Sequence, residues 1–186
     1  MQRKRYTKET KLAWFDLEMT GLIVEDCYIL EIAAVITDHK LNIIAESPNI
    51  AIHQPLEILE NMNPWCLRVH AQNGLIERSY NSKVSTAEAE QMLLEFVSQY
   101  IGPLESPICG NSVWQDRRFM IKYMPQLESY FNHQILDLAT LRILNLLADD
   151  QPDSPEYKVM GNHTALVDIL DHIAEFKHLR DKFNIH

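Results

Sequence analysis

Two acidic residues beside an apolar stretch are the first feature of this sequence that could do chemistry. Asp16 and Glu18 stand at the end of residues 12–17, a stretch whose apolar character predicts a buried strand. Side chains two residues apart on a strand point to the same face, so both carboxylates would project from the same face of the sheet. Because two buried acids repel each other, they require a cation. A pair of oxygen ligands with no nearby Cys or His suits Mg²⁺ or Mn²⁺ rather than zinc.

Two later segments contribute two more acids and a histidine. Asp116 follows a short apolar strand that breaks at Gly110-Asn111-Ser112, close to the start of a predicted helix. Five residues on a helix subtend about 140°, so His163 and Asp168 share no helical face. We therefore predict His163 in the loop or first turn and Asp168 one turn further, with Asn162 or Thr164 as the cap. A histidine near a divalent metal is a suitable group to deprotonate water.

Each of these residues alone has a simpler interpretation. Single acids are mostly solvated surface residues, and a single histidine more often packs or starts a helix than acts as a base. The interpretation changes because all five residues occur together and in this order.

Three motifs carry a family resemblance: Asp-Leu-Glu-Met-Thr-Gly-Leu at 16–22, Gly-Asn-Ser-x-x-Gln-Asp-Arg-Arg-Phe at 110–119, and His-x-Ala-x-x-Asp at 163–168. They resemble the exonuclease motifs of the DnaQ-like family, in its histidine subclass. From about residue 12 onward the chain is most similar to the oligoribonuclease branch. That resemblance implies metal-dependent 3′-to-5′ hydrolysis of dinucleotides and slightly longer single-stranded RNAs to 5′-mononucleotides.

The resemblance also implies a two-metal mechanism with Mg²⁺ or Mn²⁺. Asp16, Glu18 and Asp168 would hold the first cation, and Asp16 would reach a second, supported by Asp116. His163 would accept the proton of the attacking water.

Substrate contacts are likewise implied by the resemblance. Leu22 would wedge between the terminal bases and Trp65 would stack on one of them. His70 would lie near the phosphate and Ser112 near the 5′ end. For Leu22 and Trp65, simple packing is the alternative that the sequence favours.

The resemblance further implies a homodimer, in which the partner subunit closes the 5′ side with an aromatic and a basic residue. Those two positions here are His133 and Gln134. A histidine can stack, but a glutamine cannot ion-pair with a phosphate. Trp114 stands where the family usually has a small residue, and it either covers the site or packs. The apolar stretch 117–131 could supply a dimer interface or core.

Composition and charge set the broad class of the protein. A length of 186 residues fits a single domain, which we divide into a flexible basic N-terminus at 1–10 and an exonuclease domain at 11–186. The net charge of −9 leaves no basic stripe for long nucleic acid, which favours short substrates. Three cysteines without a CxxC pair favour a reducing cytoplasm. We expect no signal peptide and no membrane span.

The elements that must position these residues form an α/β pattern. A capping box at 85–88 starts one predicted helix, and another from 115 to 130 breaks at Pro125. Further helices are expected at 138–147 and 164–178, with a surface loop at 148–155. Strands are expected at 12–17, 28–37, 41–52, 107–110 and 135–138. This order fits a ribonuclease-H-like, five-stranded mixed sheet flanked by helices.

Two other functions remain open at this point. A general 3′-to-5′ exonuclease acting on DNA or structured RNA ends would share every catalytic residue. A catalytically silent nucleic-acid-binding or scaffold module would keep only the fold, although we would expect such a module to have replaced at least one of the five residues.

Overall fold

A mixed sheet with helices on both faces forms the framework of the protein. The computed structural model describes residues 6–148 and 164–183. Five strands lie in the order β3-β2-β1-β5-β6, and a sixth, β4, pairs with β2. The expected five-stranded mixed sheet is thus confirmed, with one short strand added. The strands are β1 Leu12–Met19, β2 Ile29–Thr37, β3 Ile43–Glu46, β4 Ile50–Ala51, β5 Ile108–Gly110 and β6 Ile135–Asp137.

Strand directions change at β1. It pairs antiparallel with β2 and parallel with β5, which in turn pairs parallel with β6. All nine residues of β2 are buried, as expected for an apolar strand covered on both faces. The carboxyl ends of β1 and β5 therefore meet at one edge of the sheet, the edge that carries the acidic motifs.

The single strand predicted for residues 41–52 is wrong. The structure divides it into β3 and β4 at Ser47-Pro48. Proline has no N–H to donate to the ladder, so pairing with β2 is interrupted there. The Ser47 side chain bonds to β2 instead, since its Oγ accepts a hydrogen bond from the Ala34 N–H at 2.8 Å.

Three short helices were missed entirely: α1 Leu56–Glu60, α2 Pro64–Gln72 and α3 Leu75–Asn81. Local signals for α2 were present. Asn63 occupies its N-cap and accepts from the Trp65 N–H, and Pro64 is its first residue. Gly74, at φ +74°, makes the left-handed turn from α2 into α3, a conformation that favours glycine.

The remaining helices follow the predicted pattern closely. They are α4 Thr86–Ser98, α5 Trp114–Tyr123, α6 Pro125–Ser129, α7 Leu138–Ala148 and α8 Ala165–Lys182. The capping box is present, with Ser85 and Glu88 each bonded to the other's backbone N–H. The break at Pro125 is confirmed, and α8 extends one turn beyond the predicted end. All but Ala148 of the loop predicted at 148–155 lies outside the described residues.

The core lies on both faces of the sheet. One face packs β1 and β2 against α4, α5 and α6, and the other packs them against α8, where Trp14 meets Phe176 edge-on. Much of the apolar stretch 117–131 belongs to the first of these clusters, through Phe119, Met120, Met124, Leu127 and Phe131. None of the described helices combines the length and apolarity needed to cross a membrane.

Candidate active site

The end of β1 presents Asp16 and Glu18 on one side of the sheet. Both side chains are half-buried, between neighbours that are largely buried. Their partners on β2 are Ala33 and Glu31, and the pairing becomes irregular after Glu18. The strand geometry inferred from the sequence is therefore what brings these two carboxylates together.

A third acid comes from the opposite end of the chain. Asp168 lies in the first turn of α8, which packs on β1 and β2. Asp16, Glu18 and Asp168 each place one carboxylate oxygen within 4.8 Å of the others. This is the spacing of a cation site whose ligands are all oxygen atoms.

Asp116 is joined to the same strand through its side chain. It lies in the first turn of α5, and its Oδ1 accepts a hydrogen bond from the Leu17 N–H at 3.0 Å. Close approach of β5 to β1 makes this possible, because a Cβ on Gly110 would lie only 2.8 Å from the Phe15 carbonyl oxygen. Ser112, at φ +52°, completes the turn, and its N–H donates to Asp137 Oδ1 at 2.9 Å.

Burial and mutual repulsion disfavour the ionised forms of these acids. Burial raises the pKa of Asp16 well above its usual value, and the charges of Asp116, Glu18 and Asp168 raise it further. Burial and the charge of Asp168 raise the pKa of Glu18 to about 8. Burial raises the pKa of Asp116 to about 7, although the Leu17 N–H opposes that shift. A divalent cation would relieve this repulsion, so the donor set fits one.

The raised pKa of Glu18 gives a prediction for the metal-free protein. Its carboxyl binds a proton more tightly when folded, so the free energy of unfolding in EDTA should fall as the pH rises from 4.5 towards about 8. Glu18→Gln should reduce that fall, because the substituted side chain does not titrate, while Asp16 and Asp116 still contribute to it. Thermal unfolding of both proteins at pH 5 and pH 8 measures the difference. Identical pH dependence in the two proteins would contradict the burial of a repelled charge at Glu18.

Glu31 is a site residue that the sequence did not reveal. Its side chain is fully buried on β2, where Oε1 accepts from the Ala165 N–H at 3.1 Å and Oε2 accepts from Arg78 at 2.8 Å. It therefore holds the first residue of α8, the helix whose first turn carries Asp168. A carboxylate at a helix N-terminus is favourable because the free N–H groups and the helix dipole point towards it.

Thr164 occupies the N-cap of α8, as the sequence suggested, but its own side chain makes no capping bond within the described residues. Two side chains from elsewhere in the fold replace it: Glu31, and Asn49, whose Oδ1 accepts from the Leu166 N–H at 2.8 Å. The start of α8 is thus fixed by the sheet and not by local capping.

Removing the charge of Glu31 should loosen this anchor. Glu31→Gln keeps the shape but weakens two charge-assisted hydrogen bonds, so we expect a loss of about 1–3 kcal/mol in the free energy of unfolding. Urea unfolding measures it, and Glu46→Gln, an exposed acid on β3, serves as the matched control. Equal stability of the two variants would show that Glu31 does not fix the helix.

The acids lie in a cleft of about 780 Å³. Leu22, Trp65, Ser112 and Trp114 also line it. Leu22 is 66% exposed and Trp65 is 56% exposed, so core packing does not account for either side chain. The structure therefore brings three of the six predicted substrate residues to the same cleft as the acids: Leu22, Trp65 and Ser112.

His70 is placed differently from a cleft-lining residue. It is only 1% exposed, its Nε2 lies 3.0 Å from the Met19 carbonyl oxygen, and its Nδ1 lies 3.9 Å from Glu18 Oε2. The ring is therefore buried next to Glu18 and contacts the end of β1. Its contact with a phosphate stays a prediction.

Comparison with known proteins identifies the family. The model of the exonuclease family matches residues 13–176. An oligoribonuclease of Francisella tularensis subsp. tularensis is 50% identical over 171 residues, covering 92% of this chain and 94% of that protein. One from Marinobacter nauticus is 51% identical over 174 residues, covering 93% and 96%.

The chain belongs to the oligoribonuclease family of exonucleases.

More distant structures share the fold. Exonuclease I from Methylocaldum szegediense superposes with a TM-score of 0.70 at 16% identity, over 95% of this chain and 41% of that one. E. coli exonuclease I in complex with a dT13 oligonucleotide gives 0.67 at 14% identity, over 95% and 43%. This chain thus spans less than half of either protein, and the likeness concerns the fold of that part alone.

Like His70, neither His133 nor Gln134 lines the described cleft. His163 lies outside the described residues, immediately before Thr164. His133 and Gln134 are exposed at the turn before β6, where Gln134 Oε1 accepts from the Tyr6 hydroxyl at 2.6 Å. The family implies that these two side chains would close the 5′ side of the cleft of a partner subunit. Those roles remain predictions.

Proposed function

We propose that this protein is a metal-dependent 3′-to-5′ exoribonuclease that hydrolyses dinucleotides and slightly longer RNAs to 5′-mononucleotides. The observation that carries the proposal is the cluster of Asp16, Glu18 and Asp168 within 4.8 Å, inside a cleft that also exposes Leu22 and Trp65. The 50% identity to oligoribonucleases supports the choice of short RNA.

Two divalent cations, Mg²⁺ or Mn²⁺, fit the donor set. Asp16, Glu18 and Asp168 would hold one, and Asp16 with Asp116 would hold the other. Such ions supply an activated water and stabilise charge on the leaving oxygen. Burial and mutual repulsion raise the pKa of these acids, and a cation would stabilise their ionised forms.

The protein's own residues move the proton and hold the helix. His163 would take the proton of the attacking water, because it directly precedes the helix that carries Asp168. Glu31 would keep that helix in place through its bond to the Ala165 N–H. His70, in contact with the end of β1, would orient Glu18 as well as approach the phosphate.

Substrate binding would rest on few contacts. Leu22 would separate the terminal bases, and Trp65 would stack on one of them for about 1–3 kcal/mol. Ser112 would meet the 5′ nucleotide. A net charge of −9 suits this arrangement, since few phosphates need neutralising on a short RNA.

We also propose a homodimer in a reducing cytoplasm. Four apolar side chains of α7 are exposed, namely Ile143, Leu144, Leu146 and Leu147. A second copy would cover them and bring its His133 and Gln134 to the 5′ side of the cleft. Sedimentation of the wild type and of Leu146→Glu tests the dimer. The odd number of cysteines, none of them in a CxxC pair, supports the compartment.

The chemistry is tested on a 5′-labelled RNA heptamer and a DNA of the same sequence, each with Mn²⁺ and with EDTA. We expect Mn²⁺-dependent shortening from the 3′ end, faster on RNA. Faster hydrolysis of DNA would support a general exonuclease instead. No cleavage of either substrate would support a silent binding module.

A further inference from the structure

Trp114 is an exposed aromatic residue in the catalytic cleft that the proposed function does not yet use. It is the first residue of α5, two positions after Ser112, and its side chain is 53% exposed. It lines the same cleft as the acids, Leu22 and Trp65. Burial in the core therefore does not account for it, in contrast to the fully buried Trp14.

The indole is held in position by its neighbours. The guanidinium carbon of Arg118 lies over the ring, 5.9 Å from its centroid. Arg118 donates to Gln115 Oε1 at 3.1 Å, and Gln115 Nε2 donates to the Leu22 carbonyl oxygen. Trp114 is thereby linked to the loop that presents Leu22. The contact with Arg118 reduces the conformational freedom that the ring would lose on binding.

We propose that Trp114 is a second base-stacking surface of this cleft, which contacts the nucleobase on the Ser112 side of a short RNA. The inference rests on the proposed function and deepens it. A planar π-face is the chemistry that recognises any nucleobase without reading its sequence. With Trp65 stacking on one base and Trp114 on the other, a dinucleotide gains binding energy from both of its bases. That binding energy would compensate for the ion pair that Gln134 cannot form with a 5′ phosphate.

Tryptophan fluorescence tests the contact directly. The chain has three tryptophans, and of these Trp14 is fully buried while Trp65 and Trp114 line the cleft. In Trp65→Phe, Trp114 is the one remaining tryptophan of the cleft. We expect its emission to be quenched by a dinucleotide whose 3′-bridging oxygen is replaced by a methylene group, with Mg²⁺ present.

The reciprocal variant separates the possible outcomes. Quenching in Trp114→Phe but not in Trp65→Phe would overturn the proposal and leave the proposed function standing. Absence of quenching in both variants, together with a wild type that cleaves no RNA, would overturn both.

Kinetics supply the second readout. Trp114→Ala should raise KM for a dinucleotide about 5- to 150-fold, since the lost stacking is worth that factor, while kcat changes by less than about threefold. Trp114→Phe should restore most of the affinity. Tyr80→Ala, a half-exposed aromatic on α3 that does not line the cleft, is the matched control. An unchanged KM in Trp114→Ala, or an equal rise in Tyr80→Ala, would overturn the proposal.

Discussion

Asp16→Asn is expected to lower kcat/KM at least about 10³-fold, because Asp16 is the proposed ligand of both cations. Loss of several kcal/mol of transition-state stabilisation corresponds to that factor. The same substitution should weaken Mn²⁺ binding, measured by calorimetry. It should not unfold the protein, since burial and the neighbouring charges already disfavour the ionised form of Asp16, and asparagine removes that charge.

The control for Asp16→Asn is Asp26→Asn, an exposed aspartate outside the lining of the cleft. That variant should keep wild-type turnover and Mn²⁺ binding. If Asp16→Asn kept turnover within about tenfold of the wild type, Asp16 would not be a shared metal ligand.

His163→Ala should lower kcat about 10²- to 10⁴-fold, the usual contribution of a general base. Unlike Asp16→Asn, it should leave Mn²⁺ affinity unchanged, because the proposed role of His163 is to accept a proton and not to bind metal. The pH profile supplies a further readout. The acidic limb of the wild-type kcat profile, where a free base becomes protonated, should be absent from the variant.

His39→Ala, at an exposed turn remote from the cleft, is the matched control for His163→Ala. An unchanged kcat at pH 7 in His163→Ala would assign the proton transfer to another group. A parallel loss of Mn²⁺ affinity would instead show that His163 acts on the metal ligands.

The residues that carry strong local signals were predictable from the sequence. Asp16 and Glu18 follow from the strand period, and the start of α4 follows from the capping box of Ser85 and Glu88. In each case the determining interaction lies within a few residues of the chain.

Features that depend on distant contacts could not be predicted. No local motif marks Glu31 as a site residue. Its role depends on contacts with Arg78 and Ala165, which are distant in the sequence. The short helices α1 and α3 have five and seven residues, too few for a clear helical period, and they are stabilised by packing. Similarly, the exposure of Trp114 in the cleft depends on how α5 is placed against β1.

The preference of this enzyme for very short RNA is tested most directly by kcat/KM with Mn²⁺ for 5′-labelled RNAs of two to seven nucleotides. Trp65 and Trp114 together would contact only two bases, so longer RNAs would gain no further stacking. We expect the highest value for the dinucleotide and a steep fall with length. A flat dependence on length would contradict it, because the cleft would then be gripping the RNA backbone and not its two terminal bases.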